Sequence, residues 1–239
     1  MTAPRLRWHV RETEAAAVSA AAAWLRSRAA QALADRGEIT VVLAGGATPR
    51  PLYEAAAGFA TDWSRWRFYF TDERCVPPGH AERNDAMARA AWLERAGVPP
   101  QNVHPIPAEL GADAGAARYA ETLAGVGVFD VVVLGIGSDG HTASLFPGRP
   151  AGDEPQSADA LPVHGAPKPP PDRVSLSAAR LSRARAALLL VLGARKREAL
   201  RRLALGEDIP LTRVRPPHGI DVFADRAAAA AAPAADRAP

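Results

Sequence analysis

The residue types best suited to chemistry lie in one segment, FDVVVLGIGSDGHTASLFPG, at residues 129–148. Its apolar start predicts a buried parallel strand, and the glycine-rich loop that follows carries Asp139 and His141. A histidine on such a loop can accept a proton near neutral pH, and a nearby carboxylate can fix the tautomer of its ring. We therefore expect acid–base chemistry from this pair. The alternative is a histidine that only ties the loop together.

The same loop contains the pattern Gly-x-Gly-x-x-Gly at residues 135–140, which also occurs in dinucleotide-binding sites. That pattern needs a sustained helix after its glycines, and Pro147 follows too soon for one. We therefore reject dinucleotide binding. An Asp-x-His pair without a third ligand at a clear spacing is also a poor metal site, so we expect no metal.

A second loop, LAGGATP at residues 43–49, follows a predicted strand and precedes a predicted helix. Gly45 and Gly46 leave backbone N–H groups free before that helix, with Thr48 as the predicted N-cap and Pro49 as the first helical residue. Such a loop suits an anion, and best a phosphate group. A tight turn that merely needs glycine is the alternative.

Charged residues follow two further predicted strands. In FTDERCVPP, at residues 70–78, Arg74 could bind phosphate through two hydrogen bonds, while Asp72 and Glu73 could orient it or act as bases. Lys196 falls in the first turn of a helix predicted after the strand in LVLGARKR, where it could reach a ligand at the sheet edge. A surface ion pair and an exposed helical cation are the respective alternatives.

Apolar strands alternate with amphipathic helices along the chain, which is typical of βαβ units and a mostly parallel sheet. Strands are predicted near residue 6 and at residues 39–43, 67–70, 130–134, 173–176, 186–192 and 220–223. Helices are predicted at residues 12–35, 51–59, 83–95, 112–123 and 194–205. This order predicts a three-layer α/β fold, with a mostly parallel central sheet and helices on both faces. We expect a single domain over residues 1–239, a proline-rich loop or lid insertion at residues 149–172 and a disordered tail at residues 233–239.

Bulk properties narrow the class of protein. The chain is 48% apolar and 23% charged, as in ordinary globular proteins, and its single cysteine, Cys75, fits a reducing compartment. No segment resembles a signal peptide or a membrane span, so we expect a cytoplasmic protein. The net charge of +3 is small, and the arginines are scattered without interleaved aromatic residues. We expect no nucleic acid or membrane as a partner, and a monomer or weak homo-oligomer.

Five segments together resemble the 6-phosphogluconolactonase family. They are LAGGATP, FTDERCVP with Asn84-Asp85 behind it, LGIGSDGHTASLFPG, RVSLS at residues 173–177, and VLGARK. The third is the most specific. The resemblance implies a Rossmann-like fold of the NagB/RpiA type. It also implies hydrolysis of 6-phospho-D-glucono-1,5-lactone to 6-phospho-D-gluconate in the oxidative pentose phosphate pathway, with a sugar phosphate lactone as the partner and no metal or organic cofactor.

Carried over onto this sequence, the resemblance implies that His141 activates water and that Asp139 supports it. The residues implied on the substrate side are Arg74 and Lys196 for the phosphate and, near it, Gly45, Gly46, Thr48 and Asp72.

The chain departs from the family pattern in two places. Ala44 and Ala47 stand where the family often has serines, which leaves the backbone and Thr48 to meet the anion. Arg83 stands where a serine commonly precedes the asparagine.

Two other functions remain open. Glucosamine-6-phosphate deaminase/isomerase is similar in fold and loop order, but it carries an acidic residue five positions after the histidine, where this chain has Phe146. It also has tyrosine in place of Arg74. The second is a non-enzymatic sugar-phosphate sensor, which usually carries an appended DNA-binding domain. We expect none here, because the first strand is predicted near residue 6, and retention of Asp139 and His141 also argues against a pure binder.

Overall fold

The computed structural model describes residues 3–230 of the chain. Its strands are β1 (Leu6–Arg11), β2 (Ile39–Leu43), β3 (Trp66–Phe70), β4 (Asp72–Arg74), β5 (Phe129–Leu134), β6 (Ala160–Val163), β7 (Arg173–Leu176), β8 (Ala184–Val191) and β9 (Ile220–Asp225). Its α-helices are α1 (Glu14–Arg36), α2 (Arg50–Ala56), α3 (Asn84–Ala88), α4 (Ala112–Leu123), α5 (Ala178–Ser182), α6 (Arg197–Ala204) and α7 (Arg226–Ala229). The tail predicted at residues 233–239 lies outside the described residues.

The central sheet is parallel throughout, with the strand order β1-β9-β8-β5-β2-β3. All six residues of β5 are buried, as expected for an apolar strand covered on both faces. The predicted α/β fold is therefore confirmed. The strand order reverses between β2 and β5, because β3 lies on one side of that pair and β8, β9 and β1 lie on the other. Open α/β sheets bind ligands at such a point, beyond the carboxyl ends of the strands.

A small antiparallel sheet, with the order β4-β7-β6, stands beside the end of β3. In its register Asp72 is opposite Ser175, and Arg74 is opposite Arg173. We did not predict β4, because three residues are too few to show a pattern, and we expected a loop where β6 forms. This sheet ties the loop after β3 to the end of the segment at residues 149–172.

The residues at the two ends of α1, the longest helix, explain where it begins and ends. Thr13 caps its start by accepting a hydrogen bond from the backbone of Ala16 at 3.2 Å. Gly37 ends it with φ = 76°, in the left-handed region that glycine adopts freely, and its N–H donates to the carbonyl of Leu33 at 3.0 Å. None of the described helices is long and apolar enough to cross a membrane.

Two predicted helices and one cap differ in the structure. In place of the helix predicted at residues 83–95, the structure has α3 followed by a wider π-helical turn, Arg89–Leu93. That turn buries three successive residues, Ala91, Trp92 and Leu93. The helix predicted at residues 194–205 starts with a 3₁₀ turn before α6. Thr48 does not cap α2. A turn over residues 47–49 delays that helix, so Pro49 is its N-cap and no side chain caps it.

Candidate active site

A cleft of about 180 Å³ opens beyond the carboxyl ends of β2 and β5, where the strand order reverses. It brings together seven of the eight residues expected at the site, namely Gly45, Gly46, Thr48, Asp72, Arg74, His141 and Lys196. The eighth, Asp139, contacts His141 from outside the lining. The loops after β2, β3, β5 and β8 are far apart in sequence, and the parallel sheet is what assembles them.

His141 and Asp139 form a hydrogen-bonded pair, with 2.5 Å between Nδ1 of the imidazole and Oδ1 of the carboxylate. Because Asp139 occupies Nδ1, Nε2 is the ring nitrogen available to the cleft. Burial lowers the pKa of His141 below its ordinary value, against the opposing effect of Asp139. Burial alone would raise the pKa of Asp139, but His141 and Lys168 outweigh it and lower that pKa to about 2. Near neutral pH the imidazole is therefore neutral and the carboxylate is ionised, as a general base and its partner require.

Gly137 provides the space that this pair occupies. A methyl group there would lie 2.1 Å from Nδ1 of His141 and 2.3 Å from Oδ1 of Asp139, which is far inside van der Waals contact. The backbone of Gly137 also closes the loop, because its N–H donates to the carbonyl of His141 at 2.7 Å. A methyl group at Gly135 would meet nothing within 4 Å. The glycine at residue 137 thus leaves room for the histidine and its partner.

Asp72 lies buried in the cleft wall with its carboxylate fully engaged. Oδ2 accepts from the Ser144 hydroxyl at 2.7 Å, while Oδ1 accepts from the Thr71 hydroxyl at 3.0 Å and from the Asn84 amide at 3.2 Å. A methyl group at Gly45 would lie 1.9 Å from Oδ1 of Asn84, so glycine is what lets Asn84 pack here. The network joins three loops of the site. The predicted contact between Asp72 and substrate stays a prediction.

Glu73 has a structural place, outside the cleft lining. It is fully buried and accepts the backbone N–H groups of Arg74, Asn84 and Asp85 at 2.8, 2.8 and 3.0 Å. Burial raises its pKa, and those hydrogen bonds together with Arg83, 3.7 Å away, oppose the rise. Glu73 therefore anchors the start of α3 and is not the base or phosphate-orienting group we considered.

Arg83, one of the two departures from the family pattern, is also structural. Its buried guanidinium pairs with Asp85 at 2.7 Å and Glu109 at 3.0 Å, and it donates to the carbonyl of Ile106 at 2.9 Å. It fastens the start of α3 to the chain that precedes α4. The other departure affects the first loop, where the carbonyl of Ala44 accepts the hydroxyl of Tyr53 at 2.8 Å.

The two predicted cations face the cleft from opposite sides. Arg74 donates through Nη1 to the carbonyl of Glu82, and its buried Nε has no hydrogen-bond partner among the described residues. Lys196 donates to the carbonyl of Ile136 at 2.7 Å, and burial lowers its pKa. Both side chains line the cleft and remain available for an anion.

The sequence analysis missed several polar side chains at the site, among them Ser144, Lys168 and Arg173. Lys168 and Arg173 line the cleft, and Ser144 supports Asp72. The rarity of lysine is a signal that could have found Lys168, because the chain contains only two lysines. Both of them line the cleft. Arg173 was placed in a predicted strand and in a family motif but given no role, and nothing local in the sequence shows that β7 pairs with β4.

Phe146 fills the position five residues after the histidine. It is 2% exposed, and its ring centroid lies 5.1 Å from that of His141. A phenyl ring cannot transfer protons, so this position offers no second acid–base group.

Comparisons with known proteins identify the family of this chain. The family model described as glucosamine-6-phosphate isomerases/6-phosphogluconolactonase matches residues 12–223. A 6-phosphogluconolactonase of Synechocystis is 39% identical over 183 residues, covering 73% of this chain and 75% of its own. That of Streptomyces coelicolor is 40% identical over 199 residues, 76% of each chain. The crystal structure of the Thermotoga maritima 6-phosphogluconolactonase covers 92% of this chain and 100% of its own, with a TM-score of 0.85 at 27% identity. The chain therefore belongs to the glucosamine-6-phosphate isomerase/6-phosphogluconolactonase family.

Proposed function

We propose that this chain hydrolyses 6-phospho-D-glucono-1,5-lactone to 6-phospho-D-gluconate, a step of the oxidative pentose phosphate pathway. Relatives at 39% and 40% identity are named 6-phosphogluconolactonase, and the chain spans about three quarters of each. The observation that carries the proposal is that His141 lines the cleft and is paired with Asp139, with 2.5 Å between Nδ1 and Oδ1. It supplies the one proton-transfer group that opening a lactone with water requires.

In the proposed mechanism, Nε2 of His141 takes a proton from water as the water oxygen attacks the C1 carbonyl. Asp139 stabilises the imidazolium that forms, through its hydrogen bond to Nδ1. Collapse of the tetrahedral intermediate breaks the bond between C1 and the ring oxygen, and His141 returns its proton to that oxygen as it leaves. The products are the 5-hydroxyl group and a carboxylic acid, which ionises. Water supplies all the added atoms.

The phosphate end of the substrate is proposed to lie among Arg74, Arg173 and Lys196. These cations line one cleft together with the backbone of residues 44–48. Arg74 and Arg173 are adjacent across the β4–β7 pairing, which is a spacing suited to a doubly charged group. Anchoring the phosphate at C6 places C1 across the ring, so that remote binding energy orients the reacting carbon.

A direct test compares the phosphorylated lactone with glucono-1,5-lactone that lacks the phosphate. We expect kcat/KM, corrected for spontaneous hydrolysis, to be about a hundredfold or more higher for the phosphorylated substrate. The other lactone has no phosphate group for the three cations to bind. Equal kcat/KM values for the two lactones would contradict a phosphate site in this cleft.

Replacing Arg74 by alanine is expected to act mainly on KM. A hydrogen bond to a charged group is worth about 1.5–3 kcal/mol, so KM should rise about tenfold to a hundredfold while kcat changes little. Steady-state kinetics with freshly generated lactone measure this. Arg118→Ala is a suitable control, because Arg118 lies exposed on α4, paired with Glu121. An unchanged KM in Arg74→Ala would remove Arg74 from the phosphate site.

The isomerase activity found in the same family is disfavoured by Phe146. Opening and isomerising an amino sugar uses an acidic residue at that position, and the phenyl ring there is buried against His141. The absence of nucleic acid as a partner, the oligomeric state and the cytoplasmic location stay predictions.

A further inference from the structure

The segment at residues 164–172, which we call the strap, is held by an arginine at each end, and its Lys168 lines the cleft. Arg149, which precedes the strap, donates to two of its carbonyls at 2.8 and 2.6 Å. Arg173, which follows it, donates to three successive carbonyls at 3.0, 3.1 and 3.0 Å. An internal hydrogen bond from Ala166 to the carbonyl of Pro171, 2.7 Å long, closes the strap on itself. Five side-chain hydrogen bonds to its carbonyls therefore fix the backbone of this segment.

The strap delivers one charged side chain to the catalytic pair. The ammonium group of Lys168 lies 3.1 Å from Oδ2 of Asp139, while Oδ1 of the same carboxylate lies 2.5 Å from Nδ1 of His141. One carboxylate thus bridges the ammonium group of Lys168 and the imidazole. Exposed ion pairs usually add little to the stability of a protein, because two mobile side chains must be ordered. Here Arg173 already holds the backbone carbonyl of Lys168, so the backbone that carries this side chain is fixed before the ion pair forms.

We propose that Lys168 is a positioning residue for the hydrolysis. It holds the second oxygen of Asp139 and thereby sets both the orientation and the proton affinity of His141. The proposal rests on the proposed function, in which His141 is the base. It adds a residue from the segment between β6 and β7 to the pair that the sequence had joined.

Lys168 acts against Asp139 on the imidazole. A carboxylate beside a histidine favours the imidazolium, and a cation on the same carboxylate partly cancels that effect. The directions found for His141 agree: burial lowers its pKa first, Asp139 raises it and Lys168 lowers it. Without Lys168 the imidazole should be protonated in a larger fraction of molecules at neutral pH. Fewer molecules would then carry a free base.

Four other charged side chains belong to the elements around the imidazole, and none of them repeats the contact of Lys168. Asp72 acts from β4 and raises the pKa of His141. From the other elements, Lys196 bonds the carbonyl of Ile136, Arg202 of α6 bonds the carbonyl of Asp139 at 3.2 Å, and Arg173 lies over the ring of Phe146 at 5.7 Å. Among the described residues, only His141 and Lys168 have side chains bonded or paired to the carboxylate oxygens of Asp139.

The test is an NMR titration of the histidine rings in the unmodified protein, Lys168→Met and Lys168→Arg. The His141 signal is assigned by its loss in His141→Gln. In Lys168→Met we expect the His141 pKa to rise by about half a unit to one unit, as estimated for one charge at this range in a partly exposed site. Lys168→Arg keeps the cation and should restore most of the original value. Arg118→Gln, a remote loss of charge on α4, should leave it unchanged.

Kinetics provide the second readout. The pKa that defines the acid limb of kcat/KM against pH should rise in Lys168→Met by the same amount as in the titration. It should stay unchanged in Lys168→Arg. An unchanged His141 pKa in Lys168→Met would overturn the proposal, even if activity fell, because the loss would then reflect the strap alone. The titration needs no turnover. Failure of lactone hydrolysis in the unmodified protein would therefore contradict the proposed function. It would not change the measured effect of Lys168 on the His141 pKa.

Discussion

Replacing His141 by glutamine is expected to lower kcat for lactone hydrolysis by about a hundredfold to ten-thousandfold, the range that a positioned general base contributes. Glutamine can still donate a hydrogen bond to Asp139, but it cannot take a proton from water. The backbone of the loop is held by its own hydrogen bonds, such as that from Gly137 to the carbonyl of residue 141 at 2.7 Å. The fold should therefore survive, and the loss should fall on the chemical step.

The measurement is the initial rate with freshly generated lactone, corrected for spontaneous hydrolysis. Binding of the product, 6-phosphogluconate, should remain close to that of the unmodified protein, because the phosphate cations are untouched. His218→Gln is a matched control, since His218 lies exposed in the turn before β9. Turnover in His141→Gln near that of the unmodified protein would exclude His141 as the base.

Gly137→Ala is expected to lower kcat about a hundredfold, the cost of misplacing a catalytic group by roughly an ångström. The added methyl group would lie 2.1 Å from Nδ1 of His141, so the imidazole has to move away from Asp139. Gly127→Ala is the control, because Gly127 lies just before β5, outside the cleft lining, and a methyl group there meets nothing within 4 Å. We expect Gly127→Ala to keep nearly full activity.

Both glycine variants should be compared by initial rates, melting temperature and the His141 titration. Loss of activity in Gly137→Ala together with a changed His141 pKa would support steric displacement of the pair. Equal activity in the two variants would contradict the role given to Gly137. A large fall in the melting temperature of Gly137→Ala alone would assign that glycine to folding instead.

Local features of the sequence were sufficient to place Asp139 beside His141 and to predict most of the fold. Asp139 and His141 are two residues apart, so a loop after a buried strand already places them together. The parallel strands are short apolar runs between amphipathic helices, and their carboxyl ends must share one edge of the sheet. This is why residues as distant as Gly45, Arg74 and Lys196 could be assigned to one cleft.

What escaped prediction depends on pairing between distant segments. Arg173 reaches the cleft because β7 pairs with β4, a three-residue strand without a recognisable pattern. Lys168 reaches Asp139 because two arginines hold the strap, and hydrogen bonds to backbone carbonyls leave no periodic signal. Glu73 was misjudged for a related reason. Two of its three backbone donors, Asn84 and Asp85, lie in the first turn of α3, whose position relative to β4 only the fold reveals.

The measurement that tests the central claim most directly is a paired assay of the unmodified protein. Freshly generated 6-phospho-D-glucono-1,5-lactone is followed through a coupled dehydrogenase, with spontaneous hydrolysis subtracted, and glucosamine-6-phosphate is followed through ammonia release. With His141 paired to Asp139 and Phe146 in place of an acid, we expect rapid hydrolysis of the lactone and no ammonia release. Ammonia release from glucosamine-6-phosphate, or lactone hydrolysis no faster than the spontaneous rate, would contradict the account.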